Sequence, residues 1–236
     1  MVSVVVPAFN EERLIAGSLA AMQAAMAAFD ESELIVCDNN SSDRTAEIAR
    51  AAGARVVFEP VNQIARARNC GAAAASGDWL LFVDADSYPS PELFSETASA
   101  IRSAQCLGGG ATVALDIPDP VVQLWVAAWN ALSRTARWAA GSFIFCEAAA
   151  FRSLGGFSEA LFAGEEIDFS RRLKRLARAR GRDFVILHRQ PLRTSDRKAR
   201  LYTKGEHFAF MLKTLFAGGR NLRRREACHV WYDGRR

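Results

Sequence analysis

Ser76-Gly77-Asp78-Trp79-Leu80-Leu81-Phe82-Val83-Asp84-Ala85-Asp86 is the most informative stretch of the chain. It reads as a turn, an apolar run of strand length, and two carboxylates where the run stops. Residues two apart in an extended backbone point the same way, so we expect Asp84 and Asp86 to face one pocket. Two such charges repel unless a cation lies between them, and Mg²⁺ and Mn²⁺ favour carboxylates together with phosphate oxygens. The pattern predicts a metal and diphosphate site, although an isolated pair of this kind also fits a solvated loop.

Length and composition are those of an ordinary soluble protein. The chain has 236 residues, of which 50% are hydrophobic and 24% charged, and this is enough for one large domain. We expect no signal peptide and no spanning helix, because the first residues carry no basic leader and no apolar run reaches about 18 residues. The five cysteines are widely spaced without a C-x-x-C pair, which predicts buried thiols in a reducing cytoplasm rather than a disulfide frame or zinc site.

The net charge of +4 conceals a division along the chain. Residues 1–170 hold 10 Lys/Arg and 21 Asp/Glu, which gives −11, whereas residues 171–236 hold 20 and 5, which gives +15. A basic segment of this kind either forms a solvated face or binds an anionic partner, such as phospholipid headgroups, a lipid-linked phosphate, nucleic acid or the acidic part of the same chain.

Strand and helix patterns alternate three times before residue 79. The predicted order is strand 2–6, helix 11–29, strand 33–37, a helix ending near 52, strand 55–59 and helix 63–75. This alternation predicts an α/β fold, a single domain with a mostly parallel, Rossmann-like central sheet flanked by helices. The loop Pro7–Glu11 and Asp38 follow the first two strands, where open α/β sheets bind ligands. No G-x-G-x-x-G is present there, so the dinucleotide-binding fingerprint is absent.

Four motifs carry a resemblance to a known family. They are Val4-Val5-Val6-Pro7-Ala8-Phe9-Asn10-Glu11, Ile35-Val36-Cys37-Asp38-Asn39-Asn40-Ser41-Ser42-Asp43, Ala67-Arg68-Asn69-Cys70-Gly71 and Asp84-Ala85-Asp86. Their order and spacing resemble the nucleotide-sugar-binding half of a family 2 glycosyltransferase with the GT-A fold. The resemblance implies a nucleotide-diphosphate-sugar donor, with a UDP sugar favoured over GDP-mannose, Mn²⁺ or Mg²⁺ as cofactor, and inversion at the anomeric carbon.

The same resemblance implies roles for individual residues. Those expected to bind the donor nucleotide are Pro7, Ala8, Phe9, Glu11, Asp38, Arg68, Asp84 and Ala85. Within this set Asp38 accepts from the base, Arg68 helps to hold the base or diphosphate, and Asp84 lies near the ribose. Asp86 is the expected metal ligand, with Asp84 beside it, and the bound metal makes Asp86 part of the catalytic group.

A second acidic stretch is Gly164-Glu165-Glu166-Ile167-Asp168. The apolar spacing after it predicts a helix from Glu165 onward, with Glu166 on the inward face and Asp168 paired with arginine on the surface. In the family the corresponding turn usually reads Glu-Asp and its second acid is the catalytic base. The resemblance therefore implies Glu166 as the base, with Glu165 and Asp168 as alternates. Acids at a helix N-terminus also complement the helix dipole, so a purely structural role stays open.

The predicted helix 121–138 carries three tryptophans beside Arg134 and Arg137. Such a face either packs into the core or suits a membrane interface or a lipid-bearing acceptor. We expect residues 1–187 to form the GT-A domain, with a nucleotide-sugar-binding half (1–103) and an acceptor half (104–187). Residues 188–236 are expected to form a basic C-terminal flap, with a short helix over 206–217, that covers the donor diphosphate, lies on a membrane, or both.

These features predict a metal-dependent inverting glycosyltransferase that moves one sugar to a hydroxyl or phosphate acceptor, on a sugar, a lipid-linked molecule or a cell-envelope glycan. The expected location is the cytoplasm, with peripheral contact to an anionic membrane, no nucleic-acid partner and an open oligomeric state. Two alternatives remain. A nucleotidyltransferase would need a basic, glycine-rich loop that Pro7–Glu11 does not provide, and a non-catalytic module would use the basic C-terminal third to bind membrane or nucleic acid.

Overall fold

The fold is a single eight-stranded sheet with helices packed on both faces. A computed structural model of the chain describes residues 1–195, 197 and 220–228. The strands are β1 (Val2–Ala8), β2 (Ser32–Asp38), β3 (Arg55–Phe58), β4 (Trp79–Val83), β5 (Ser87–Tyr88), β6 (Cys106–Leu115), β7 (Phe143–Glu147) and β8 (Asp183–Thr194). The helices are α1 (Ile15–Met26), α2 (Thr45–Ala51), α3 (Ile64–Ala73), α4 (Pro91–Arg102), α5 (Pro120–Ala136), α6 (Ala148–Ser153) and α7 (Glu165–Ala179), followed by short 3₁₀ turns at Arg220–Arg223 and Arg225–Cys228.

The strand order is β3-β2-β1-β4-β7-β6-β8-β5. The first four strands in this order run parallel to one another, as do β6 and β8. Strand β7 lies antiparallel to both β4 and β6, and the short β5 lies antiparallel to β8. The predicted α/β fold with helices flanking the sheet is confirmed, and the sheet is mixed because β7 enters it in the opposite direction.

Alternation along the strands produces two separate apolar layers. Val4 and Val6 of β1 point to one face, where α1 and α4 cover them, whereas Val5 and Phe82 point to the other face. Helices α3 and α7 cover that second face, and Phe169 lies within it. Because successive side chains of a strand point to opposite faces, apolar runs without alternation such as β1 and β4 must be buried on both sides.

Long-range contacts determine where α1 begins and where β8 ends. Helix α1 begins at Ile15 rather than at Glu11, whose N–H donates to Thr45 Oγ1 (2.7 Å). Strand β8 runs past residue 187 to Thr194, because after a bulge Leu192 and its successors pair again with β6. The predicted domain boundary at 187 therefore falls inside β8.

Local sequence signals account for several helix ends. Ser90 caps α4, since its Oγ accepts from the N–H of Leu93 (3.2 Å), and Pro91 occupies the first turn. Helix α7 starts after Gly164, which has a φ of 75° that favours glycine. The predicted helix at 206–217 and most of the predicted basic flap lie outside the described residues. Among the residues that are described, no helix is both long and apolar enough to cross a membrane.

Candidate active site

Three polar loops meet where β1, β2 and β4 end. Ala8 and Asp38 are register partners at the ends of β1 and β2, and the N–H of Asn39 donates to the carbonyl of Ala8 (2.8 Å). The N–H of Ser42 donates to Oδ1 of Asn10 (2.8 Å), which has a left-handed φ of 52°. These bonds fix the two loops to each other, so the predicted donor-binding residues of β1 and β2 share one edge of the sheet.

The predicted donor-binding residues differ in how much of their surface reaches this edge. Pro7, Ala8 and Ala85 are buried, whereas Phe9 is half-buried. Asp38 is also buried, and its Oδ1 accepts from the N–H of Ser41 (3.0 Å). That bond holds the Asp38 carboxylate against its own loop. The predicted contact between Asp38 and a base stays a prediction.

Arg68 connects the two acidic motifs that the sequence singled out. Its side chain lies on α3 and is 1% exposed. The guanidinium donates to Oδ1 of Asp84 (3.0 Å), to Oε1 of Glu165 (2.6 Å) and to the carbonyl of Gly141 (2.8 Å). Burial lowers the pKa of Arg68, but the neighbouring acids outweigh this effect and raise it, so the arginine stays charged. The guanidinium thus bridges two carboxylates, and the expected contact of Arg68 with a base or diphosphate stays a prediction.

Glu166 is the acid of this group whose ionisation is most perturbed. Its side chain lies against Gly141, since a Cβ added to that glycine would sit 3.5 Å from Cγ of Glu166. Burial of the carboxyl group, reinforced by the charge of Glu165 and opposed by Arg68, raises the pKa of Glu166 to about 8. A carboxylate with a pKa near neutrality is suited to take a proton from a hydroxyl group.

The two alternates to Glu166 are occupied by other partners. Glu165 is buried and forms an ion pair with Arg68 (2.6 Å). Asp168 forms a surface ion pair with Arg172 (2.7 Å), as the sequence predicts. Each of these two carboxylates therefore already accepts a charge-assisted hydrogen bond from an arginine. Of the three acids, Glu166 is the one whose environment favours accepting a proton.

Asp86 faces a second arginine instead of sharing a cation with Asp84. Arg197 donates to both carboxylate oxygens of Glu11 (2.7 and 2.6 Å), and the same Nη2 lies 3.5 Å from Oδ2 of Asp86. The N–H of Ser195 donates to the backbone carbonyl of Asp86 (2.9 Å). Asp84 thus contacts Arg68 and Asp86 contacts Arg197, and the expectation that the two carboxylates share one metal ion stays a prediction.

The surroundings of the Glu11 and Asp86 carboxylates show which kind of metal site could form beside Asp86. Both converge on one guanidinium group, so the fold already holds a positive charge between them. Among the residues that the structure describes, no group of three or more His, Cys, Asp or Glu side chains is arranged to hold a metal ion. The donor set thus fits an ion that takes one or two protein carboxylates and completes its shell with phosphate oxygens, and it does not fit an all-protein site.

Sequence reasoning missed Gly141 and Arg197. Gly141 lies in the turn before β7, where its carbonyl accepts from Arg68 and its missing side chain leaves room for Glu166. No local pattern marks this glycine. Arg197 is one of many basic residues in its part of the sequence, and only its position against Glu11 distinguishes it. Of the described histidines, His188 is exposed and lies beside its own strand (Nδ1 to the Ile186 carbonyl, 3.4 Å).

Comparison with protein families gives a match over more than half of the chain. The model described as "Glycosyl transferase family 2" matches residues 3–146. A TPR repeat-containing protein of Synechococcus elongatus is 41% identical over 76 residues, which are 32% of this chain and 19% of that protein. An uncharacterized glycosyltransferase of Mycobacterium tuberculosis is 40% identical over 85 residues, which are 36% of each chain. The chain thus spans about a fifth to a third of the length of these curated relatives.

Solved structures show the fold over a larger part of the chain. S. aureus TarS 1–349 in complex with UDP-GlcNAc has a TM-score of 0.64 at 20% identity, and the match covers 97% of this chain and 69% of that chain. Glucosyl-3-phosphoglycerate synthase from Mycobacterium tuberculosis, in complex with Mn²⁺, UDP and glucosyl-3-phosphoglycerate, has a TM-score of 0.64 at 22% identity and covers 92% and 77%. At these identities the likeness concerns the fold alone, and it confirms the predicted GT-A fold.

Proposed function

The chain belongs to glycosyl transferase family 2, and on that premise we propose that it moves one sugar from a nucleotide-diphosphate sugar to a hydroxyl or phosphate acceptor. The observation that carries the proposal is the buried network of Asp84, Arg68 and the Glu165-Glu166 turn. It fixes the motif expected at the donor to the motif expected at the acceptor. A sugar transferase needs its donor site and its acceptor site next to each other, because the acceptor oxygen must reach the anomeric carbon of the donor.

We favour a UDP sugar as the donor. Structures of similar fold are known with UDP-GlcNAc and with UDP, and a validoxylamine A glucosyltransferase of Streptomyces hygroscopicus is 29% identical over 106 residues, 42% of this chain and 25% of that protein. The acceptor is proposed to be a sugar, a lipid-linked molecule or another hydroxyl compound. The nucleotidyltransferase alternative has no support from the loop after β1, which carries no basic residue.

We propose that Asp86 holds a divalent ion, Mn²⁺ or Mg²⁺, together with the diphosphate of the donor. Glucosyl-3-phosphoglycerate synthase, which has a similar fold, has been solved with Mg²⁺ or Mn²⁺ and UDP. These complexes support the proposal that a divalent ion binds with the donor. When bound, the ion would supply positive charge to the departing diphosphate. Asp84 is the weaker candidate for a ligand because one of its oxygens accepts from Arg68.

The protein's own contribution to the reaction is proton removal and placement. Glu166 accepts the proton of the acceptor hydroxyl while the oxygen attacks the anomeric carbon, and the bond from that carbon to the β-phosphate oxygen breaks with its electrons leaving on the nucleoside diphosphate. Arg68 fixes Glu165 and so keeps the turn in place. One displacement inverts the anomeric configuration, so a product that retains the configuration of the donor would contradict this mechanism.

Thermal unfolding with nucleotides tests donor binding. UDP, GDP, CDP, ADP and dTDP would each be added with and without Mn²⁺; a ligand at about 100 times its dissociation constant adds about 2.7 kcal/mol to the free energy of unfolding. We expect stabilisation by UDP that increases with Mn²⁺ and is lost in Asp86→Ala. Asp78→Ala is the matched control, because this carboxylate is 85% exposed at the opposite end of β4. No shift with any nucleotide would contradict the proposal and favour a non-catalytic module.

The assignment of the base is tested by comparing Glu166→Gln with Asp168→Asn. Replacing a general base is expected to lower kcat by about 10² to 10⁴, while stabilisation by UDP and Mn²⁺ remains. Asp168→Asn should keep nearly full activity, since Asp168 pairs with Arg172 on the surface. The reverse result, with activity lost in Asp168→Asn alone, would move the role of base to Asp168.

A further inference from the structure

Helix α5 carries an apolar surface that no described part of the chain covers. Val121, Leu124, Trp125, Ala128 and Leu132 recur at helical spacing on its outer side and are all exposed; we call them the apolar stripe. The exposed fraction is 67% for Leu124 and 41% for Trp125. Seven large hydrophobic residues are exposed in the described part of the chain, and four of them belong to this stripe. Such a concentration marks an interaction surface rather than scattered exposure.

The position of α5 is fixed from its inner side. The amide of Asn130 accepts from the N–H of Val113 (3.0 Å) and donates to the carbonyl of the same residue (2.8 Å), which fastens the helix to β6. Ser133 is the buried residue of the helix. From Val121 to Ser133 the helix carries no charged side chain. The outer side of α5 therefore presents an apolar surface to solvent, and no charged side chain of this segment offsets the cost of that exposure.

A group of cations lies at the C-terminal end of this helix. Arg137, Arg171, Lys174 and Arg178 form what we call the cation cluster. Lys174 donates to the carbonyl of Ala136, the last residue of α5 (2.7 Å), and the Arg171 guanidinium lies 5.0 Å from the ring centre of Trp138. Burial lowers the pKa of Lys174, and the three arginines of the cluster lower it further. The acid paired with this cluster among the described residues is Asp183, which contacts Arg137 (2.9 Å).

We propose that the apolar stripe and the cation cluster together form a surface that docks on an anionic lipid bilayer. Apolar side chains of an interfacial helix enter the boundary between headgroups and acyl chains, while neighbouring Lys and Arg side chains contact anionic headgroups. A bilayer supplies both parts at once. A second copy of the chain could cover the apolar stripe through its own α5, and this pairing is the alternative outcome of the test below.

Vesicle flotation of the full chain tests this inference without using a nucleotide. The vesicles would be phosphatidylcholine alone or phosphatidylcholine with about one third phosphatidylglycerol, at low and high salt. We expect binding to the anionic vesicles that falls as salt increases. Leu124→Ser/Trp125→Ser should weaken binding about tenfold or more, and the second pair Val121→Ser/Leu132→Ser should act in the same direction. Arg171→Gln/Lys174→Gln/Arg178→Gln should weaken it about 100-fold at low salt.

Matched controls remove the same chemistry elsewhere. Phe58→Ser removes an exposed aromatic side chain from another element (57% exposed), and Arg50→Gln/Arg102→Gln/Arg152→Gln removes three exposed cations. Both should bind vesicles like the unmodified chain. Equal binding by stripe variants and controls would overturn the proposal. So would an absence of vesicle binding together with a concentration-dependent dimer that the stripe variants abolish, since that outcome assigns the surface to a second copy.

Discussion

At the scale of single residues, the site depends on one buried arginine among three acids. Arg68 is sealed from solvent and contacts Asp84 and Glu165 directly. A buried ion pair adds little to the free energy of unfolding compared with well-packed apolar side chains of the same volume. Removing one partner is costly, however, because the other charges then stay buried without compensation. Arg68 is therefore a structural requirement of the site.

Arg68→Met should destabilise the chain by about 3 to 5 kcal/mol. The reason is that Asp84 and the buried Glu165 lose their shared cation while the volume of the side chain is largely kept. Denaturant unfolding measures the change. Arg66→Met is the control, since Arg66 lies two residues away on the same helix, is half-exposed and also pairs with two acids, Glu59 and Glu159. A similar loss of stability in both variants would contradict the buried network.

The raised pKa of Glu166 predicts how activity depends on pH. If Glu166 acts as the base, it must be ionised, so kcat/KM should rise with pH, reach half of its maximum near pH 8 and level off above that pH. The rise belongs to the free enzyme and should be absent from the residual activity of Glu166→Gln. A profile that is already level at pH 6 would contradict the assignment.

The same pKa predicts an opposite trend in stability. Glu166 binds its proton more tightly in the folded chain than its ordinary pKa of 4.5 allows. Its contribution to stability is therefore complete below about pH 4.5 and is lost as pH rises through about 8. Relative to the unmodified chain, Glu166→Gln should become progressively more stable over this range. Thermal unfolding of both proteins at several pH values measures the difference, and a constant difference would contradict the raised pKa.

At the scale of secondary-structure elements, β6 is notable for three consecutive glycines. A Cβ on Gly109 would come closer than 3.0 Å to the carbonyl oxygen of Val185 on β8, and a Cβ on Gly108 equally close to that of Phe145 on β7. Glycine normally weakens a strand interior. Here the glycines allow β6 to lie tightly between β7 and β8. Strand β7 in turn pairs with β4, so Gly141, just before β7, lies close to the end of β4.

Gly109→Ala should destabilise the chain by about 1 to 3 kcal/mol or more, because the obstructing atom belongs to the backbone of β8 and has little freedom to move. Gly17→Ala is the informative counterpart. Gly17 lies within α1, and the nearest atom to an added Cβ is 3.5 Å away on Tyr88. That change should stabilise the chain by about 0.5 to 1 kcal/mol. Denaturant unfolding of both variants checks the opposite signs; equal effects would refute the close packing of β6.

At the scale of the whole molecule, the predicted donor half (1–103) and the predicted acceptor half (104–187) share one sheet. Strands β4 and β7 pair across the two halves over five residue pairs. Asn69 of α3 adds a second link, since its amide donates to the carbonyl of Phe157 (3.0 Å) and accepts from the N–H of the same residue (2.9 Å). The two stretches on either side of residue 103 therefore have no separate cores, and their roles as donor half and acceptor half stay a prediction. The cytoplasmic location stays a prediction.

A shared sheet predicts a single unfolding transition. Circular dichroism and tryptophan fluorescence should give the same denaturant midpoint. Asn69→Ala should lower both midpoints together and cost about 1 to 3 kcal/mol, because both backbone groups of the buried Phe157 lose their partner. Gln23→Ala, which removes a bond within the donor half (Nε2 to the Ala52 carbonyl, 2.6 Å), is the control. Two separated transitions would show that the halves unfold independently.

The elements of the first half could be predicted because their signals are local. Apolar runs predict β1, β2 and β4, and residues next to them in sequence mark where each strand stops, so the position of Asp84 and Asp86 after β4 follows from the sequence. The helix after Gly164 and the ion pair of Asp168 could also be predicted. The helix follows from apolar spacing, and the arginine partner of Asp168 lies about one helical turn away in the sequence. These features depend on periodicity and turn chemistry, which neighbouring residues define.

The sequence by itself thus determined the α/β class, the strand ends that carry acids, and Glu166 as the base to be tested. Tertiary structure alone decided which cation each acid meets. Arg68 and Glu165 are 97 residues apart in the chain, and Arg197 and Glu11 are 186 apart. Such pairs depend on how the helices and β8 pack on the sheet, and packing is set by the whole core rather than by any local pattern. For the same reason the rise in the pKa of Glu166 could not be inferred from its position in the sequence.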